Sequence, residues 1–205
     1  TMPLFAFCTT RSEPDSRPID QKGIEAMLER ENAVLIVIDL QDKLLDKIPV
    51  AEDIIERATM LIKVAQVLDI PVILTEQYPK GLGPTNRAVR ETLGDVTPIE
   101  KLSFGCMGNE DFRDRLHELD RGQLLITGVE THVCVAQTAI GALDMGYDTY
   151  VARDAVAARS KFEHKMGLER IADECGGLVT TEMAIFELLG EAGTPEFKQV
   201  LPLLK

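Results

Sequence analysis

Three ionisable residues stand just beyond apolar runs: Asp39 closes VLIVID, Lys101 ends TPIEK, and Cys134 follows LLITG by six residues. A thiol, an ammonium and a carboxylate are what a nucleophilic cysteine site needs. Sulfur attacks as the thiolate, and a helix N-terminus, a neighbouring ammonium or an acceptor for the proton would each favour that form. Cys134 has the first by position, just inside a helix starting near Thr131. Lys101 could supply the second and Asp39 the third, so the sequence predicts a thiol of lowered pKa. Such a sulfur attacks an acyl carbon, and backbone N–H groups of the turn GVETHV would hold the oxyanion. Each residue also has an ordinary reading. An aspartate after a strand often caps, a lysine there is usually solvated, and most free cysteines are small buried hydrophobes. Their joint placement at strand ends is the signal.

Placing them requires a sheet. Apolar runs at 34–40, 71–75, 97–104, 123–128 and 148–154 and GLVTT near 177 alternate with helical spacing at 50–69, 86–93, 131–145, 161–175 and 182–190, and with DFRDRLHEL capped by Asn109. Strands that are apolar on both faces and alternate with helices predict an α/β fold, a three-layer αβα sandwich around a mostly parallel, about six-stranded Rossmann-like sheet. In such sheets functional groups gather at the carboxyl ends of the strands, where strand order reverses. The organisation expected is a lead-in over 1–31, rich in Ser, Pro, Asp and Arg from 9 to 20, and a single domain over 32–205.

Composition narrows the function. The 205 residues carry a formal net charge of −12 with scattered basic residues, which argues against a nucleic-acid partner. The longest apolar run, AVLIVI from Ala33, breaks at Asp39, so no membrane span is expected. No cationic start with a long apolar segment opens the chain, and the default compartment is the cytoplasm. Cys8, Cys106, Cys134 and Cys175 form no CxxC pair, and His117, His132 and His164 show no ligand spacing, so neither metal nor cofactor is expected.

Asp39 in VIDLQ, Lys101 in IEKLSF and Cys134 in TGVETHVCV resemble, in that order, the Asp-Lys-Cys triad of the isochorismatase-like cysteine hydrolases, which include nicotinamidases and N-carbamoylsarcosine amidases. The match runs from about Ala33 to Lys205, and LTEQYPKGLGPT and EFKQVLPLLK look most like the isochorismatase-domain-containing subfamily. The resemblance implies Cys134 as nucleophile, Asp39 as general base and Lys101 as the cation tuning both. It also implies a cis peptide between Val129 and Glu130 that aims the N–H groups of Glu130 and Cys134 at the oxyanion. The metal-dependent relatives carry Asp-aromatic-His where this chain has Gln77-Tyr78-Pro79, so the resemblance implies a metal-independent enzyme. Its expected reaction is cleavage of a C–N bond, amide or carbamoyl, in a small molecule through a covalent cysteine intermediate. The rival is a catalytically weak binding or scaffolding protein that keeps the fold.

Among neighbours, Gln41, Tyr78 and Phe104 follow the relevant strand ends and are candidate walls of a small-molecule pocket. His132 is a poor base for Cys134, because two residues at roughly 100° each point to nearly opposite sides of a helix. Cys106 reads as a packing residue, with a redox partner as the alternative. The apolar content of MAIFELLG and EFKQVLPLL suggests docking on the body or on a second subunit, and a homo-oligomer, at least a dimer, is expected.

Overall fold

The computed structural model describes residues 27–174 and 176–204, so most of the expected lead-in, with Cys8, and also Cys175 lie outside the described residues. In chain order the elements are β1 (Ala33–Ile38), α1 (Asp42–Leu45), α2 (Ala51–Val67), β2 (Val72–Gln77), α3 (Pro79–Leu82), α4 (Arg87–Leu93), β3 (Ile99–Lys101) and α5 (Glu110–Leu119). There follow β4 (Gln123–Val129), α6 (Ala136–Asp144), β5 (Asp148–Ala157), α7 (Lys161–Asp173), β6 (Gly177–Val179), α8 (Thr181–Leu189) and α9 (Pro195–Val200).

β1 shows why the sheet is covered on both faces. All six of its residues are buried. Ala33, Leu35 and Val37 join a core with Leu61 and Ile62 of α2, Val89 of α4 and Ile185 of α8. Val34, Ile36 and Ile38 join a second core with Phe112 of α5, Ala139 of α6 and Ile171 of α7. Side chains alternate faces along a strand, so a continuous apolar run needs apolar partners on each side. The result is a three-layer α/β sandwich whose six strands are all parallel, in the order β3-β2-β1-β4-β5-β6.

The chain steps outward from β1 to β3, then returns to the centre and steps the other way from β4. That reversal opens a crevice beyond the carboxyl ends of β1 and β4. Gly128 closes the seam there, pairing with Ile38. Its φ of +125° and its approach to β1, where a Cβ would run into the Ile38 carbonyl oxygen, both require glycine.

Several details differ from expectation. The predicted strand 97–104 is only Ile99–Lys101, because the chain bends so that the carbonyls of Ser103 and Phe104 turn back onto the Lys101 ammonium. The start of the predicted helix 131–145 is a wide π-type turn over Thr131–Val135. Leu28 is buried and its N–H reaches Glu187, so the packed body extends into the expected lead-in. Among the described residues no helix is long and apolar enough to cross a membrane.

Candidate active site

Asp39 is the first residue past β1 and takes a left-handed conformation, φ +52°, which aspartate tolerates better than most residues. Thr75 of β2 fixes it twice. The Thr75 carbonyl accepts the Asp39 N–H at 3.2 Å, and the Thr75 hydroxyl donates to Asp39 Oδ1 at 2.7 Å. The other oxygen, Oδ2, takes Lys101 Nζ at 2.6 Å, with both side chains essentially buried.

Lys101, on edge strand β3, thus reaches past β2 to the end of β1. Its ammonium also donates to Gln77 Oε1 at 2.7 Å and to the Phe104 carbonyl at 3.0 Å, with the Ser103 carbonyl farther off at 3.4 Å. An ammonium has three N–H donors, and three close acceptors use them all. Thr75 and Gln77 went unnoticed in the sequence because VILTEQ reads as an ordinary strand; only the neighbours supplied by folding reveal their roles.

Cys134 sits in the wide turn after β4, 6% exposed, where the charges of both Asp39 and Lys101 act on its thiol. The sequence reading of a lowered thiol pKa is corrected here. Burial, then the Asp39 charge, push the thiol up to about 12; Lys101 opposes this and the hydrogen bond to Asp39 adds to it. Loss of water outweighs the nearby cation, whose charge is largely offset by the carboxylate it grips. The resting group is a neutral thiol.

The peptide between Val129 and Glu130 is cis. The Glu130 carboxylate accepts the Arg159 N–H at 2.9 Å and meets the Arg159 guanidinium at 3.3 Å. Thr138 of α6 ties the thiol turn to the loop after β3: its hydroxyl donates to the Cys134 carbonyl at 2.6 Å and accepts the Cys106 N–H at 2.9 Å. Cys106 is fully buried, which pushes its thiol up to about 11.

The expected pocket walls divide. Gln41 is fully buried, and its amide is committed to the backbone, accepting from Gln77 N and donating to the carbonyls of Gln77 and Gly83. It braces the glycine- and proline-rich loop from behind instead of facing a ligand. Glu76 pins the same loop, accepting from the Thr85 N–H and hydroxyl, both at 2.7 Å. Tyr78 and Phe104 are 51% and 56% exposed, and their backbones meet Lys101: the Tyr78 N–H donates to the Lys101 carbonyl and the Phe104 carbonyl accepts from its ammonium. Among the described residues no three His, Cys, Asp or Glu side chains gather as a metal site. Gln77 serves Lys101, its Oε1 accepting from the ammonium at 2.7 Å.

The chain belongs to the isochorismatase domain family, whose match covers residues 33–183. Among individual relatives, isochorismatase domain-containing protein 2B of Mus musculus is 35% identical over 85% of this chain and 82% of its own. A secreted isochorismatase effector of Phytophthora sojae is 34% identical over 85% of each. Among solved structures, the MAR1 ribonuclease of Caenorhabditis elegans superposes with a TM-score of 0.82 at 36% identity, covering 87% of this chain and 92% of that one.

Proposed function

We propose that the protein is a cysteine hydrolase that cleaves a C–N bond, amide or carbamoyl, of a small molecule without a metal. The observation that carries this reading is the Asp39 carboxylate, gripped by Lys101 on one side and facing the Cys134 thiol on the other. The substrate carbonyl sits over Cys134 with its oxygen toward the N–H groups of Glu130 and Cys134. As sulfur attacks the carbonyl carbon, the thiol proton passes to Asp39, so the nucleophile is made during attack and not stored beforehand. The oxyanion is held by the two N–H groups. Asp39 then gives its proton to the leaving nitrogen, the C–N bond breaks, and a thioester remains. Water, deprotonated by Asp39, releases the acid and returns the proton to sulfur.

Lys101 is not a proton donor in this scheme. Its three donors are committed, and it acts by holding the carboxylate in one orientation. The worm relative is named a ribonuclease, but a net charge of −12 does not suit this chain to a polyanionic substrate. The test is a panel of small amides, carbamoyl compounds and ureides, comparing the native protein with Cys134→Ala. Turnover that disappears in the variant, with a thioester mass on the native protein, is the expected result. Selective binding without turnover would support the scaffolding rival, and turnover surviving in Cys134→Ala would remove the nucleophile from the scheme.

A further inference from the structure

We infer that His164, on α7, is a positioning residue that holds the backbone of the thiol turn through Thr131, and so sets where an oxyanion is received. The inference rests on the hydrolase reading above.

Three consecutive residues of the turn are braced by one stretch of chain. Glu130 is held through its side chain by the N–H and guanidinium of Arg159. Thr131 is fully buried, and its hydroxyl lies 2.9 Å from Nδ1 of His164. His132 lies against Gly167, three residues past His164 and on the same face of α7. A Cβ on Gly167 would stand 2.9 Å from both N and Cα of His132 and 3.0 Å from the Thr131 carbonyl carbon. Helix α7 therefore touches the turn's main chain directly, and His164 supplies the directional contact beside that touch.

The sense of the hydrogen bond follows the tautomer of the ring. Burial, then the charge of Arg153, hold the His164 imidazole below its usual range, so the ring is neutral at neutral pH and one nitrogen accepts. In one tautomer Nδ1 accepts the Thr131 hydroxyl proton and in the other it donates to the Thr131 oxygen; either bond ties the Thr131 side chain to the ring. Nothing in the proposed chemistry consumes these groups, and their common effect falls on the peptides from Glu130 to Cys134. Oxyanion donors act through geometry, so a small displacement of those peptides weakens them without touching the sulfur.

The experiment compares native protein, His164→Leu and His164→Asn, the last keeping a polar amide near the Nδ1 position. Each is alkylated at Cys134 by iodoacetamide, which forms no oxyanion, in the presence and absence of benzaldehyde. Benzaldehyde adds reversibly: its carbonyl carbon bonds to sulfur and the thiol proton goes to the new oxygen, which occupies the oxyanion position. Measurements are made well below the melting temperature of each variant. In His164→Leu the uninhibited alkylation rate should stay within about twofold of native while aldehyde protection weakens about tenfold, and His164→Asn should recover most of that loss. Where a substrate has been found, kcat should fall in step with little change in KM. Protection that is equal in native and His164→Leu proteins, including none in either, overturns the inference, as does equal impairment in the Leu and Asn variants. The hydrolase reading stands or falls separately, on the turnover of native protein against Cys134→Ala.

Discussion

The thiol of Cys134 is held neutral by burial and by the same carboxylate that is proposed to activate it, and this gives opposite predictions for reactivity and for turnover. A group whose folded pKa is raised stays protonated until the pH climbs to that value, here about 12. The rate of Cys134 alkylation by iodoacetamide should therefore rise about tenfold per unit from pH 7 to 10, with no plateau near the ordinary thiol value of about 8.5. Mass spectrometry of the labelled peptide reads this directly, and levelling off near pH 8.5 would contradict it. Asp39→Asn removes two influences that raise the thiol and leaves Lys101, which lowers it. That variant should label faster than native at pH 8 yet turn over nothing. Its stability should fall by about 3 kcal/mol, because a buried ammonium loses its counter-charge, and a urea melt would measure the loss.

At the scale of elements, the strands were legible because each is an apolar run, and the two cores drawing alternate residues of β1 explain why those runs do not alternate with polar residues. The end of β3 was not legible. Leu102 and Phe104 look like strand residues, but the carbonyls after Lys101 serve its ammonium, and that demand exists only once Asp39 and Gln77 are nearby. The four-residue helices α1 and α3 are too short to show a period. Gln41 was read as a wall because its position follows a strand end, but position does not disclose that its amide is used up on the loop backbone. Asp39, Lys101 and Cys134 could be found because their chemical types stand out against the apolar runs they end. The seam between β1 and β4 yields a sharper prediction. Gly128→Ala combines a left-handed φ with a collision against the Ile38 carbonyl, and should cost about 3 kcal/mol or more in a thermal or urea melt. A variant melting within a degree of native would mean that the two strands can part more easily than their packing implies.

For the molecule as a whole, exposed apolar side chains occur on both outer layers: Phe162 and Met166 on α7, which covers one face of the sheet, and Met183 and Phe186 on α8, which covers the other. With the open edge of β6, they fit the proposal that the chain assembles at least as a dimer. Sedimentation equilibrium should then give a mass of two chains or more, and Phe186→Glu should lower it. A single-chain mass at micromolar concentration would count against the assembly.

The reach of Lys101 past β2 has a mechanical side as well. β3 is a three-residue outer strand, short for a stable border, and its last side chain is tethered to the centre of the sheet by Asp39. Cutting that tether would loosen the outermost strand and offer the flank of β2 to other chains as a template. Loss of the charge pair should thus show itself as clumping on gentle warming as well as silence in an assay. The proposed chemistry and the shielding of the β2 flank would then both depend on the Asp39–Lys101 pair.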